Sequence, residues 1–329
     1  MLNKNVRLSD KIFSKDIERA PTRDGFGRGT VAAGKKDENV VVLCADLKES
    51  TRAEWFEKEF PDRFIEVGVA EQNLATAAAG MAAIGKRPFI ASYAAFSPGR
   101  NYEQIRTTIA LNEQPVVVCG MHAGVSVGPD GATHQMLEDI GLMRMLPGMS
   151  VIVPGDAVEA QKAVEYAAVA SHPTYIRFGR SPVPTFTTSE TPFAYSKAIS
   201  VWESDKPKVA LMATGALTYE ALVAAKALAA DGIEVSVLHV PFVKPLDEEA
   251  VLAAAKRAGR VITIEEHQAA GGFGSAVAEF LSGAYPVPVM RLGVQDQFGQ
   301  SGEPQELLSH YGLTAPEITA AVRKSLGVY

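Results

Sequence analysis

The chain has 329 residues, of which 47% are hydrophobic and 21% are charged, a composition typical of a globular protein with a substantial core. Its net charge of −6 argues against nucleic acid or an anionic membrane as the main partner. No apolar stretch approaches about 18 residues, so we expect a cytoplasmic protein without a membrane span. The length favours two domains.

Short apolar strands alternate with helix-like segments in the first part of the chain. The predicted strands are Val40–Cys44, Phe89–Tyr93, Val116–Gly120 and Val151–Pro154, and the predicted helices are Gly25–Ala33, Gln72–Ala83, Tyr102–Leu111 and Ala157–Ala168. This alternation predicts a parallel sheet covered by helices on both faces. The stretch Pro182–Pro192 is rich in proline, threonine and serine, which indicates a linker.

A second α/β series follows the linker. Its predicted strands are Val209–Met212, Val235–Val240, Val261–Ile264 and Val287–Leu292, and its predicted helices are Thr218–Ala230, Leu246–Ala258, Gly274–Leu281 and Ala315–Ser325. We therefore expect an α/β fold with two domains, residues 1–188 and residues 189–329.

Glu71 lies between a short apolar strand and a helix made almost entirely of small residues. Such a helix suits very close packing. A carboxyl group wedged beside it would be desolvated, which would raise its pKa and make Glu71 a candidate acid/base group. The alternative is an ordinary negative charge at a helix N-terminus.

Two polar loops follow predicted strands, where ligands bind in open parallel sheets. The first carries Asp46 and Ser50, for which a simple Asx turn is the alternative. The second is rich in glycine and carries His122, Asp130 and His134. Its spacing does not suit zinc, so we expect these histidines to bind hydroxyl groups or transfer protons; a plain surface turn is the alternative.

Aromatic and cationic side chains lie near two further strand ends. Tyr93 and Phe96 could form an apolar cushion for a flat ring or pack in the core. Arg177 and Arg180 suit a phosphate or carboxylate group, although one of them could pair with an internal acid.

Three other features favour structural interpretations. Cys44 and Cys119 lie in apolar runs and are expected to be buried, reduced thiols. The glycine cluster Gly271–Ser275 indicates close backbone packing rather than phosphate binding. The run Glu265–His267 follows a predicted strand and is expected to be a solvated strand end.

Taken together, these motifs resemble the thiamine-diphosphate enzymes of the transketolase family. The resemblance covers only the family's pyrimidine-binding domain (residues 1–188) and its smaller C-terminal domain (residues 189–329). The segment Val67-Gly-Val-Ala-Glu71-Gln-Asn matches the motif whose glutamate contacts N1′ of the aminopyrimidine. This contact favours the 4′-imino tautomer, which removes the proton from the thiazolium C2.

The resemblance assigns a role to each matching residue. It implies that the catalytic residues are Glu71, His122 and His134. It implies that the cofactor is contacted by Asp46, Glu71, Tyr93 and Phe96. Asp46 would also lie at the dimer contact. It implies substrate binding by Arg23, Ser50, His122, Asp130, His134 and Arg180, with Arg23, Ser50 and Arg180 at the sugar phosphate. The positions after Phe96, Ser97-Pro-Gly-Arg100, depart from the family's usual third aromatic residue.

The implied activity is transfer of a two-carbon ketol unit from a ketose phosphate to an aldose phosphate in carbohydrate metabolism, as in the pentose phosphate pathway. Deoxyxylulose-phosphate synthases are an alternative, but they usually carry arginine in place of His122. The β subunits of 2-oxoacid dehydrogenases are another, but they typically lack the Asp130–Gln135 run. A non-catalytic scaffold subunit is a third alternative. Intact Glu71, His122, Asp130 and His134 weigh against it, because a degenerate copy need not retain all four.

One family motif is missing: Gly-Asp-Gly followed some thirty residues later by Asn, which in the family binds Mg²⁺ and the diphosphate. A divalent ion that bridges the diphosphate needs the oxygen ligands of such a motif. We therefore expect no metal ligand on this chain. The resemblance then implies a separately encoded N-terminal subunit that holds the diphosphate and Mg²⁺, an α2β2 heterotetramer, and an inactive isolated chain. The helix after Glu71 is expected to pack at a subunit interface.

Overall fold

The computed structural model describes residues 1–328. Its strands are β1 (Arg19–Ala20), β2 (Val40–Cys44), β3 (Phe64–Glu66), β4 (Arg87–Tyr93), β5 (Val117–Met121), β6 (Ser150–Ile152), β7 (Thr174–Arg177), β8 (Val183–Pro184), β9 (Ile199–Trp202), β10 (Val209–Ala213), β11 (Val235–His239), β12 (Phe242–Lys244), β13 (Val261–Gln268) and β14 (Val289–Val294).

The α-helices are α1 (Thr22–Lys36), α2 (Lys48–Thr51), α3 (Ala53–Glu59), α4 (Glu71–Ala83), α5 (Tyr102–Gln104), α6 (Asp139–Arg144), α7 (Ala157–Val169), α8 (Leu217–Ala230), α9 (Glu248–Ala258), α10 (Phe273–Ala284), α11 (Pro304–His310) and α12 (Ala315–Leu326). Short 3₁₀ turns form at Lys4–Val6, Pro61–Arg63 and Val125–Val127, and Ile105–Ala110 is a π-helix. Within residues 1–328, every helix is too short or too polar to cross a membrane.

The larger sheet has seven strands in the order β12-β6-β7-β5-β4-β2-β3. All of its pairs are parallel except β12 with β6. Strands such as Val40–Cys44 are buried along their whole length, because helices cover both faces of the sheet. The carboxyl ends of β7, β5, β4, β2 and β3 therefore meet along one edge.

The second sheet has five strands in the order β14-β13-β10-β11-β9, and only its edge strand β9 is antiparallel. A separate two-stranded antiparallel ribbon joins β1 to β8. The expected α/β fold with two domains and parallel-dominated sheets is confirmed. The antiparallel strands β9 and β12 are short edge strands that the sequence pattern did not indicate.

Small residues allow α4 to lie close against the larger sheet. The buried face of this helix consists of Leu74, Ala75, Ala78, Ala79 and Ala82. Its opposite face is exposed and ends at Ile84, which is 79% exposed. The helix begins at Glu71, so the position of that carboxyl group is fixed by the packing of the whole element.

Several segments tie the two halves of the chain together. Val6 and Ile12, near the N-terminus, pack in the core of the second half, whereas β12 from the second half extends the first sheet. The proposed linker is also anchored, because the Thr187 N–H and hydroxyl donate to Asp156 at 2.6 and 2.7 Å. The division at residues 188 and 189 stays a prediction.

Two expectations about local structure need correction. The segment Tyr102–Leu111 begins as one α-helical turn and continues as the π-helix Ile105–Ala110. The run Glu265–His267 is not a solvated strand end: it continues β13, and Glu265 and His267 are 0% and 1% exposed. Glu265 accepts hydrogen bonds from the Phe273 and Gly274 N–H groups at 2.6 and 2.7 Å. These two N–H groups at the start of α10 therefore already have a partner, which agrees with close backbone packing of the glycine cluster.

Candidate active site

The candidate site lies along the edge where the parallel strands of the larger sheet end. Tyr93 is the last residue of β4 and pairs in register with Met121, the last residue of β5. His122 follows Met121 directly, and Glu71 begins the helix that follows β3. Because these strands are neighbours and parallel, residues that are far apart in sequence meet at one edge.

Glu71 is a buried carboxylate with a specific cationic partner. Its side chain is 2% exposed, and Arg100 Nη1 lies 2.8 Å from its Oε2. Asn101 Nδ2 donates to the Glu71 carbonyl oxygen at 2.9 Å. Within residues 1–328 no hydrogen bond reaches Oε1. One carboxylate oxygen is therefore held in place, and the other is free to accept a proton donor.

Four rings form a continuous aromatic surface beside this carboxylate. Tyr93 and Phe96 are stacked, with centroids 5.9 Å apart and planes 17° from parallel. His122 lies over Tyr93 at 4.0 Å, and His134 meets Phe96 edge-on at 5.5 Å. The Arg100 guanidinium lies 4.7 Å above the Phe96 ring, which links the aromatic surface to Glu71. The expected cushion for a flat ring is compatible with this arrangement.

His122 is buried and in the left-handed backbone region, with φ of 53°. Arg23 Nη1 lies 3.1 Å from its Nε2. Because arginine only donates hydrogen bonds, Nε2 must accept and the proton lies on Nδ1; this buried Nδ1 has no partner within residues 1–328. Burial, with the positive charges of Arg23 and Arg180, lowers the His122 pKa to about 3, so the imidazole is neutral near pH 7.

Two arginines lie near His122 and Asp130. Arg23 Nη1 donates to the Ser50 carbonyl oxygen at 2.8 Å, and burial lowers its pKa. Arg180 Nη1 donates to the Val127 carbonyl oxygen at 3.0 Å and lies 3.2 Å from Asp130 Oδ2. The side chains of Arg180 and Asp130 are 38% and 33% exposed, so this pair remains open to an anionic ligand.

Two residues that the sequence singled out lie outside this group. Asp46 is exposed in a left-handed turn after β2, and its N–H donates to Glu66 Oε1 at 2.8 Å; within residues 1–328 it makes no hydrogen bond to the other candidates. Arg177 points into the interior and pairs with Asp139 Oδ2 at 2.8 Å. Of the two cations, Arg177 is therefore the one that pairs with an internal acid.

Arg100 and Asn101 are the site residues that sequence reasoning missed. Both follow Ser97-Pro-Gly, the place where the chain departs from the aromatic pattern of the family it resembles. One sign of their role was present in the sequence: a cationic side chain, Arg100, and an amide side chain, Asn101, come directly after this departure. Their role depends on the turn after β4, which brings them back to Glu71, and sequence spacing alone does not reveal this.

The arrangement suits a planar ring with a basic nitrogen at one end. Tyr93 and Phe96 offer an apolar surface, and the free oxygen of Glu71 lies at the edge of the same site. The buried Nδ1–H of His122 is a donor without a partner within residues 1–328, and such a group calls for an acceptor. Within residues 1–328 no three histidine, cysteine, aspartate or glutamate side chains are grouped to hold a metal ion.

Comparison with known proteins decides the family. Residues 18–185 match the model of the transketolase pyrimidine-binding domain, and residues 200–318 match the model of the transketolase C-terminal domain. The chain belongs to the transketolase family. The expected family is thus confirmed, and the chain carries the two domains that make up the C-terminal section of a split transketolase, in a family whose activity is ketol transfer.

Relatives of the same length support this assignment. A putative transketolase C-terminal section from Methanocaldococcus jannaschii is 38% identical over 92% of this chain and 96% of its own length. A 6-deoxy-6-sulfo-D-fructose transketolase subunit from Clostridium sp. is 38% identical over 95% of this chain and 96% of its own. A solved split-gene transketolase, described as an inactive β4 tetramer, superposes with a TM-score of 0.87 at 44% identity, covering 94% of this chain and 99% of that one.

Proposed function

We propose that this chain is the pyrimidine-binding subunit of a split transketolase and that it transfers two-carbon ketol units only when joined to an N-terminal subunit. The observation that carries the proposal is the convergence of Glu71, the Tyr93–Phe96 stack and the two histidines at one sheet edge. The family assignment gives the reaction class, and the geometry supports the residue roles proposed below.

Glu71 would hold a proton at N1′ of the aminopyrimidine through its free oxygen, while Arg100 keeps the other oxygen in place. Tyr93 and Phe96 would stack on the pyrimidine ring and orient it. When bound, thiamine diphosphate supplies the nucleophilic carbon and the electron sink for carbon–carbon cleavage. The fixed position of Glu71 at the start of α4 means that the carboxylate needs little reorganisation.

His122, His134 and Asp130 would bind the hydroxyl and carbonyl oxygens of the sugar. Neutral His122 can donate a hydrogen bond from Nδ1–H, which suits a group beside a substrate oxygen. Arg23 and Arg180, with Ser50 nearby, would bind the anionic end of the sugar, and guanidinium groups bind such oxyanions bidentately. Asp46 would contribute at the cofactor and dimer contact, where a partner chain could cover its exposed turn.

The diphosphate and Mg²⁺ would be held mainly by the N-terminal subunit. The sequence lacks the family's Gly-Asp-Gly…Asn motif, and divalent ions on a diphosphate need such oxygen ligands. Relatives named as a C-terminal section and as transketolase subunits support a separate partner chain. In this arrangement the cytoplasmic enzyme would be an α2β2 heterotetramer that handles sugar phosphates.

Exposed apolar residues that flank α4 and the neighbouring π-helix support an intersubunit contact along this helix. Val69, Ile84 and Leu111 are 70%, 79% and 74% exposed. They lie just before α4, just after α4 and at the end of the neighbouring π-helix. Val69 lies beside the site, whereas Ile84 and Leu111 lie at the far end of α4, near the amino ends of β4 and β5. Exposed apolar groups of this kind are suited to burial against another subunit. Residues 1–188 and 189–329 would then be the two functional domains.

The proposal is tested by calorimetric titration of thiamine diphosphate and Mg²⁺ into the chain alone, into the candidate N-terminal subunit alone and into their mixture. Ketol transfer is measured in parallel with a ketose phosphate and with a ketose sulfonate. Glu71→Ala and Glu71→Gln should abolish turnover without lowering thermal stability. Glu103→Gln is the matched control, since Glu103 is an exposed carboxylate whose one side-chain hydrogen bond within residues 1–328 comes from the neighbouring Gln104 amide. Normal turnover by the Glu71 variants would refute the assignment, as would a partner mixture with no turnover.

A further inference from the structure

The loop of residues 122–136 carries three candidate substrate-binding residues and is closed at its base. Ala123 bridges to Met136, and the Gly124 N–H donates to the Met136 carbonyl oxygen at 2.9 Å. The positions of His134 and Asp130 therefore depend on how the base of this loop is held. Gln135 Nε2 holds the loop from within, donating to the Val125 and Gly128 carbonyl oxygens at 3.0 and 3.2 Å, and further groups reach the loop from outside it.

A carboxylate from the second domain reaches the beginning of this loop. Glu266 Oε1 accepts a hydrogen bond from the Ser126 N–H at 2.6 Å. Hydrogen bonds to an ionised acceptor are short and strong. Gly124 makes room for the contact: its φ is +92°, and a Cβ atom there would lie 2.3 Å from Glu266 Oε1. A side chain at position 124 would therefore displace the carboxylate.

The backbone of Glu266 is itself fixed against the other end of the loop. Arg177 Nη2 donates to the Glu266 carbonyl oxygen at 2.7 Å and to the Met136 carbonyl oxygen at 3.3 Å. Arg177 is in turn held by Asp139 at 2.8 Å and is 7% exposed. Both ends of the loop are thus tied to β13, the strand that carries Glu266.

The contact between Glu266 and Ser126 also reaches the candidate phosphate-binding arginine. The Ser126 carbonyl oxygen accepts a hydrogen bond from the Ser181 hydroxyl at 2.8 Å. The next carbonyl, of Val127, accepts from Arg180 Nη1 at 3.0 Å. Moving the 126–127 backbone would therefore move both the loop and the guanidinium that faces the sugar's anionic end.

We propose that Glu266 is a positioning residue through which the C-terminal domain sets the conformation of the substrate-binding loop and of Arg180. The inference rests on the proposed function, because it assigns Arg180 to the anionic end of the substrate. It gives the C-terminal domain a direct part in substrate binding. Glu266 acts through backbone groups and does not itself touch the substrate.

Glu266→Ala is compared with wild type in the complex with the N-terminal subunit and, by hydrogen exchange, in the full chain alone. We expect faster amide exchange in residues 125–136 and a rise of about tenfold in KM for a ketose phosphate, with kcat changed less than about threefold. Glu266→Gln retains an acceptor oxygen and should stay within about threefold of the wild-type KM. Glu306→Ala, an exposed carboxylate on α11, is the control.

Glu266→Asp keeps the carboxylate but shortens the side chain by one methylene, which weakens its contact with the Ser126 N–H, so it should reproduce the exchange and KM changes even if Glu266→Ala fails to fold. Unchanged exchange in residues 125–136 together with an unchanged KM would overturn the inference, even if thermal stability falls. The two claims fail separately. An inactive wild-type complex would refute the proposed function, whereas an active wild-type complex with unaffected Glu266→Ala kinetics would refute the positioning role.

Discussion

Arg100 Nη1 lies 2.8 Å from Glu71 Oε2, so the candidate catalytic carboxylate is held by a cation from the turn after β4. The Glu71 side chain is 2% exposed and that of Arg100 is 44% exposed, which means that the charge pair is buried on one side only. The guanidinium also covers the Phe96 ring. One side chain thus links the carboxylate and the aromatic surface that would bind the pyrimidine.

Arg100→Gln should weaken thiamine diphosphate binding by the complex about tenfold, or about 1.4 kcal/mol. The buried carboxylate would lose its cationic partner and its fixed orientation. Arg100→Lys should restore part of the affinity, because a lysine keeps the charge but not the planar fork. The measurement is a cofactor titration, with the exposed Arg106→Gln as control. Equal affinity in the Arg100→Gln and Arg106→Gln complexes would contradict this role.

His122 should make the chain less stable in mild acid. Its pKa in the folded chain is lowered from 6.5 to about 3, so between these values the unfolded chain binds more protons and stability falls as the pH falls. From about pH 7 to about pH 5, this single group should remove about 2 kcal/mol of unfolding free energy. Urea unfolding of wild type and His122→Asn measures the difference.

The matched control for that experiment is His310→Asn, since His310 is exposed on the last turn of α11. The acid-dependent loss should be smaller in His122→Asn than in wild type and unchanged in His310→Asn. If His122→Asn loses as much stability between the two pH values as wild type, the buried neutral imidazole is not the cause.

A buried pair between α7 and β11 should contribute strongly to stability. Glu159 Oε2 lies 2.7 Å from His239 Nε2, and both side chains are at most 1% exposed. Thr218 Oγ1 contacts the other ring nitrogen at 2.7 Å. Glu159→Ala should cost about 3–5 kcal/mol of unfolding free energy because it leaves buried polar groups unpaired. Glu165→Ala removes a surface pair with Lys36 and should cost less than about 1 kcal/mol; similar costs would contradict the account.

The two cysteines should be inert in the folded chain. Both are free and buried; burial raises the pKa of Cys44 to about 12 and raises that of Cys119 well above its ordinary value. Since only the thiolate reacts quickly, a disulfide reagent should label neither thiol until urea unfolds the protein. Ser282→Cys places a thiol at an exposed position and should react at once. Rapid labelling of the native wild-type chain would contradict the buried placement.

The sequence was most informative for the residues that follow β4 and β5. Parallel strands end at a common edge, and both Tyr93 and His122 were candidates because they lie at strand ends; in the structure the two rings are in contact there. Burial of Val40–Cys44 and of both cysteines followed from the same apolar pattern. The alternation of strands and helices was enough to predict the sheet and to place Glu71 at its edge.

Residues whose position depends on tertiary contacts were not predictable in this way. Glu265–His267 looks like a polar strand end in the sequence. In the structure the glycine-rich turn after it folds back, and Glu265 accepts hydrogen bonds from two N–H groups at the start of α10. Arg100 reaches Glu71 only through the turn after β4. Strand β12 joins a sheet formed by the other half of the chain, a long-range pairing that local periodicity cannot reveal.

The central claim is that this chain supplies only one side of a thiamine-diphosphate site. The most direct measurement is ketol transfer by the purified chain with thiamine diphosphate and Mg²⁺, before and after addition of the N-terminal subunit. The account predicts no turnover by the chain alone and turnover that appears and saturates as the subunit is added. Normal turnover by the chain alone would contradict it.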